Sequence, residues 1–152
     1  MSFQQTVDLF RRSERWHHRA SDLFAELAER VTQPKAKMLL EFLCEREQQI
    51  AAGIRERRQG LSPQAASTWF QYTPDDQITR SIDALGLTED ISLDELIERA
   101  LALFLEFEHL YADLAQLASH REVQAAFRDL QSYADIEGHK FVKNAAEFSS
   151  DT

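Results

Sequence analysis

The stretch Leu39-Leu40-Glu41-Phe42-Leu43-Cys44-Glu45-Arg46-Glu47-Gln48-Gln49-Ile50-Ala51-Ala52-Gly53-Ile54 decides the fold. Leu39, Leu43, Glu47, Ile50 and Ile54 recur at steps of three and four residues, which aligns them along one face of a helix. One member of that stripe is a carboxylate where leucine is expected. A second stripe, Val123, Phe127, Leu130, Ala134, Glu137 and Phe141, carries the same anomaly. An unpaired carboxylate in an apolar core is costly, so such a group is neutralised, paired or bound to a metal. Glu47 and Glu137 also stand at matching places in two halves of the chain.

The same periodicity marks four long helices. The first is expected over residues 3–31, with Ser2 and Gln5 at the spacing of a capping box. Phe10, Glu14, His17, Ser21, Phe24 and Ala28 lie along one of its faces, and Leu9, Trp16, Leu23 and Leu27 lie along a neighbouring one, so its buried sector is broad. The quoted stretch belongs to a second helix over 34–58, opened by Pro34 and stopped at Gly60. Ser92 with Glu95, and Ser119 with Glu122, repeat the capping-box spacing and open the third and fourth helices. The fourth is expected to end near residue 148 and leave a frayed tail over 149–152.

Very short turns join the first helix to the second and the third to the fourth, so each pair is an antiparallel hairpin. Residues 59–91 read differently, with Gly60, Pro63, Pro74 and Gly86 spread along them. Within them, Thr73-Pro74-Asp75-Asp76 has the form of a cap for a short helix through Ala84. A connection of this length spans a bundle, and it lets the third helix run parallel to the second. The expected fold is all-α, a four-helix bundle in one domain over 1–152.

Composition excludes several classes. The 152 residues include only 4 Gly and 3 Pro, and 43% are hydrophobic, which suits one helical globular domain. A formal net charge of -9 disfavours a nucleic-acid surface. Arg55, Arg57 and Arg58 fit a helix C-terminus, where cations complement the dipole. Cys44 is the only cysteine, so neither an intramolecular disulfide nor a cysteine-based zinc site forms. The first residues lack a basic stretch followed by an apolar run, and no apolar run reaches the length of a membrane span. These features predict a cytoplasmic protein with no membrane partner.

The hairpins look like diverged copies of one unit. Leu23-Phe24-Ala25-Glu26-Leu27-Ala28 leads to Phe42-Leu43-Cys44-Glu45-Arg46-Glu47. Leu110-Tyr111-Ala112-Asp113-Leu114-Ala115 leads to Phe127 and then Leu130-Gln131-Ser132-Tyr133-Ala134-Asp135-Ile136-Glu137. This pattern resembles the rubrerythrin-like branch of the ferritin-like superfamily over nearly the whole chain. The resemblance implies a bundle in which each hairpin gives one glutamate from its first helix and Glu-x-x-His from its second, holding two metals. Aligned on the aromatics, the first-helix glutamates fall on His17 and Phe104. The second-helix glutamates fall on Glu47 and Glu137, and the histidines on Ile50 and Lys140. The chain therefore departs from the pattern at Ile50, Phe104 and Lys140.

The resemblance thus implies a largely lost di-iron centre. The expected protein is non-catalytic, without a resident cofactor, and acts through protein contacts or weak metal binding. The alternative is an Fe- or Mn-binding oxidoreductase-type protein using His17, Glu47 and Glu137, since one imidazole and two carboxylates suit such ions. Glu14, one turn from His17, and Glu108, one turn beyond Phe104, are further candidate ligands. Otherwise Glu47 and Glu137 pair with Arg46, Lys140 or His17 and bind nothing, which leaves a ligand-free helical adaptor.

Glu106-Phe107-Glu108-His109 also has Glu-x-x-His spacing, and Asp135 precedes His139 by four, but both histidines follow the polar sides of their helices. His17-His18 does not suffice for haem or a hemerythrin-type site, which needs more inward histidines. Cys44 lies between Glu45 and Glu47, whose charges oppose a reactive thiolate. Trp69, Phe70 and Tyr72 are expected to fold over the bundle as a lid that anchors the crossover. Alternatively they form a partner surface. A homodimer is expected.

Overall fold

The computed structural model describes residues 4–70 and 77–150. They form six helices and a small pair of strands. The order is β1 (Gln4–Gln5), α1 (Thr6–Arg30), α2 (Pro34–Gln59), α3 (Pro63–Ala66), β2 (Trp69–Phe70), α4 (Gln77–Asp83), α5 (Leu93–Leu117) and α6 (Arg121–Ser150). All-α is the right class, and the four long helices match the four stripes of the sequence.

Most helix boundaries follow local chemistry. Ser92 caps α5 by accepting from the Glu95 amide, and Pro34 sits in the first turn of α2. The start of α1 differs from the expectation. Gln5 caps it, with its own amide donating to Asp8, while Gln4 and Gln5 form the strand β1. The predicted cap residue Ser2 lies outside the described residues. At the other end α6 continues through Ser150 rather than fraying from residue 149. It starts at Arg121, and the expected cap partner Glu122 is held instead by the Ser62 hydroxyl.

The short crossover elements tie the connection down. Ser62 caps α3, and β2 pairs antiparallel with β1, setting Gln4 opposite Phe70 and Gln5 opposite Trp69. The Thr6 amide then donates to the Thr68 carbonyl. Helix α4 lies where a short crossover helix was expected, although its predicted cap at 73–76 is outside the described residues. Gly86 turns the chain with φ of 62°, a left-handed conformation that glycine tolerates.

Side-chain contacts fix the helix directions. Rising residue numbers on α1 meet falling ones on α2, through Glu14–Arg58, His17–Glu47 and Ser21–Cys44. Helices α2 and α6 are likewise antiparallel, through Lys35–Phe148, Arg46–Glu137 and Arg57–Asp129. So are α1 and α5, where Ser13 and His17 meet Tyr111 and His17 also stacks on Phe107. Two helices antiparallel to α1 run the same way, so α2 and α5 are parallel. One continuous apolar core joins all four helices. Burial on this scale is the main force that assembles them.

The C-terminal arginines of α2 do more than complement its dipole. Arg58 grips Glu14 on α1, while Arg57 pairs with Asp129 on α6 and lies over the Tyr133 ring. The expectation for the crossover aromatics divides. Phe70 is buried edge-on to Phe127, as a lid residue would be, but Trp69 is 59% exposed. Tyr72 lies outside the described residues.

Candidate functional site

Polar groups on the buried face of α1 define the site. Ser13, His17 and Ser21 follow at steps of four and point into the core, each about 2% exposed. His17 Nδ1 lies 2.5 Å from Glu47 Oε2, and Glu47 is wholly buried. The opposite ring nitrogen, Nε2, lies 3.1 Å from the Tyr111 hydroxyl on α5. Tyr111 also bonds the Ser13 hydroxyl. The imidazole is stacked on Phe107, with ring centroids 4.1 Å apart. Four polar side chains from three helices therefore form one enclosed chain, Ser13–Tyr111–His17–Glu47.

The electrostatics follow from burial. Enclosure pushes the Tyr111 phenol well above the usual tyrosine range. The Ser13 hydrogen bond opposes that rise and the Glu47 charge adds to it. The second oxygen of Glu47, Oε1, is buried and has no hydrogen-bond partner. Beside the chain is a cavity of about 10 Å³, bordered by His17, Tyr111, Phe104, Phe107, Ile50 and Tyr133 among others. That is about the minimum space for one water. It leaves no room for an organic substrate.

Glu137 belongs to a different cluster. Arg46 Nη1 stands 2.7 Å from its Oε2, an ion pair too oblique to count as a hydrogen bond. Lys140 Nζ approaches its other oxygen at 3.4 Å. Arg46 also lies over the Phe42 ring. Nearby, burial and the Glu137 charge raise the Tyr133 phenol, against the pull of Arg57 and Arg46.

The structure thus brings His17 and Glu47 together and holds Glu137 apart. Glu14 is taken by Arg58, 2.6 Å away, and Glu108 is half-buried. His109 is exposed, and exposed His139 pairs with Asp135. Among the described residues, no group of three or more histidine, cysteine, aspartate or glutamate side chains is placed to hold a metal ion. Ile50 is buried, Phe104 packs edge-on to Phe141, and Lys140 faces Glu137. The residues present therefore do not fit a two-metal centre. Sequence reasoning missed Ser13 and Tyr111 as members of the site, although the four-residue spacing of Ser13, His17 and Ser21 marks a polar seam on a buried face.

Among the described residues, no helix is long and apolar enough to cross a membrane. Comparison with family models, with curated proteins and with solved structures returned no match for this chain.

Proposed function

We propose that the chain is a diverged ferritin-like, rubrerythrin-related four-helix bundle whose metal centre has been replaced by interactions among its own side chains. In this reading it is not a catalyst and works through protein contacts. The observation that carries the proposal is the fate of the two carboxylates. Glu47 is bonded to His17, and Glu137 is faced by Arg46 and Lys140, so each acid has a protein partner in place of an ion. The antiparallel α1–α5 and α2–α6 pairings support the ferritin-like arrangement. Exposed Trp69, Met38 and Leu105 supply apolar contact points for a second copy or another protein.

The test is metal analysis of purified protein after exposure to Fe(II), Mn(II) and Zn(II), with Glu47→Ala and Glu137→Ala as controls. The proposal expects no stoichiometric metal and a thermal midpoint unmoved by chelator. Uptake that both substitutions abolish would instead establish a remnant site at His17, Glu47 and Glu137. Sedimentation of the wild type and Trp69→Asp tests the contact reading. A homodimer through the crossover dissociates in the variant.

A further inference from the structure

We infer that the protein forms a two-fold dimer through the outer face of the α5–α6 hairpin, with α5 of each copy seated on α6 of the other. The dimer is one form of the protein contacts proposed above and rests on that reading, to which it adds the partner and the surface.

The face is built from helical spacing. Asp94, Glu98, Leu101, Leu105, Glu108 and Ala112 follow at alternating steps of four and three, which sets them in one row along α5. Leu105 is 53% exposed, and Leu101 is half-buried. On α6, Val142 is 48% exposed, with His139 and Ala146 exposed on the adjoining turns. Asp129, Tyr133 and Glu137, which meet α2, lie on the other side of Phe141 from Val142, so Val142 borders α5. Phe104 and Phe141 meet edge-on with centroids 5.2 Å apart, so their chain neighbours Leu105 and Val142 stand at one level of the hairpin. Scattered apolar residues are ordinary on a surface, but these converge.

Charge selects the occupant. Around its leucines the α5 row is acidic, through Asp94, Glu98 and Glu108. Beside Val142 the exposed charges of α6 are Lys143 and His139, the latter paired with Asp135. Among the described residues, Glu98, Glu108 and Lys143 make no ion pair. A face with one acidic and one basic helix is complementary to its own copy. A two-fold axis across the helices would lay α5 on α5 and set acid against acid. An axis along the helices lays α5 on α6 of the other copy at the same level. Leu105 then meets Val142 across the axis, and Leu101 meets Ala146. Glu98 falls about one turn from Lys143 of the other copy, and Glu108 falls near its His139. The contact has an apolar centre and a charged rim, and every interaction in it occurs twice.

Sedimentation equilibrium of the full chain at micromolar concentration is expected to show a dimer. Leu105→Glu/Val142→Glu puts carboxylates at the centre of the contact and is expected to give a monomer whose circular dichroism stays helical. Glu98→Lys and Lys143→Glu each set like charges together twice, and each is expected to raise the dissociation constant about tenfold. The exchange Glu98→Lys/Lys143→Glu is expected to return it to the wild-type value. The exchange leaves the apolar centre intact, so it decides the geometry even where the first variant misfolds. A wild type that stays monomeric overturns the inference. So does a dimer that survives Leu105→Glu/Val142→Glu, or an exchange that restores nothing. A dimer broken by Trp69→Asp alone overturns it too and leaves the contact reading standing. Trp69 pairs with Gln5 and adjoins Phe70, which packs on Phe127, about four turns along α6 from Val142. Metal uptake counts against the lost metal centre and not against the dimer, so the two fail separately.

Discussion

Glu47 and Glu137 occupy matching places in two hairpins, and each interrupts an apolar stripe, yet the protein treats them differently. Glu47 is wholly enclosed at the centre, where its partner is an imidazole whose other nitrogen is bonded in turn. Glu137 lies near the rim of the α2–α6 seam, 7% exposed, between a guanidinium with 12% of its side chain exposed and an ammonium with 56% exposed. Depth explains the choice of partner. A long cationic side chain satisfies an acid near the surface while its charged end stays close to water. At the centre a compact ring that is bonded at both nitrogens serves better, because buried polar groups need partners, although Glu47 Oε1 is left without one.

The largest expected effect tests that contrast at its deeper end. His17→Leu leaves the Glu47 carboxylate buried and alone, and breaking such a pair costs about 3–5 kcal/mol. Urea unfolding followed by circular dichroism measures the loss. The double replacement His17→Leu/Glu47→Leu removes both polar groups, and it is expected to recover most of that stability. If the double variant stays as unstable as the single one, the pair is not the unit of stability described here.

Alkaline pH probes the same cluster through Tyr111. Its phenol is raised in the folded state, so the unfolded chain loses that proton first as pH climbs past about 10. The unfolded state then binds fewer protons, and stability falls with rising pH, by about 1.4 kcal/mol per pH unit for this one group. Below the ordinary tyrosine range the contribution is fully present. Tyr111→Phe is expected to lower stability at neutral pH, through loss of the Ser13 and His17 bonds, but to flatten the alkaline slope. Urea titrations on both sides of pH 10 check the slope.

These differences also show what the sequence made legible. The four stripes, Pro34, Ser92 and the short inter-helix turns are local signals, and they located four helices and two hairpins. The two misplaced glutamates were legible too, because a charge in a period-3.6 stripe stands out on its own helix. Their partners His17, Arg46 and Lys140 were legible as well, but the extension of the His17–Glu47 pair to Tyr111 was harder to read. Tyr111 fits an apolar stripe so well that its hydroxyl draws no notice, and its bond to His17 spans 94 positions. Glu14 shares the His17 stripe, but it is only partly buried, and Arg58 on α2 holds it. The β1–β2 pairing, only two residues on each strand, depends on where the crossover returns and leaves no pattern of its own.

At the shallower end the comparison predicts a smaller loss. Glu137→Ala removes the acid but leaves Arg46 over Phe42 with 12% of its side chain exposed, so about 1–2 kcal/mol is expected. A penalty as large as that of His17→Leu would erase the distinction between centre and rim.

The two helix-interior glycines extend the contrast to the backbone. A Cβ on Gly53 would stand 2.6 Å from the Tyr133 hydroxyl, inside the ring that lies between α2 and α6. A Cβ on Gly138, next to Glu137, meets nothing within 4 Å, so close helix approach does not require that glycine. Alanine in a helix interior is favoured over glycine by about 1 kcal/mol. Gly138→Ala is therefore expected to gain about 0.5–1 kcal/mol, the intrinsic preference with nothing to oppose it. In Gly53→Ala the same preference is offset by displacement of Tyr133 from Arg57 and from the Gln49 carbonyl, giving little or no gain. Thermal melts of the two variants side by side read the difference directly. Equal gains would mean that Tyr133 moves aside freely and that the α2–α6 seam is as open at Gly53 as it is at Gly138.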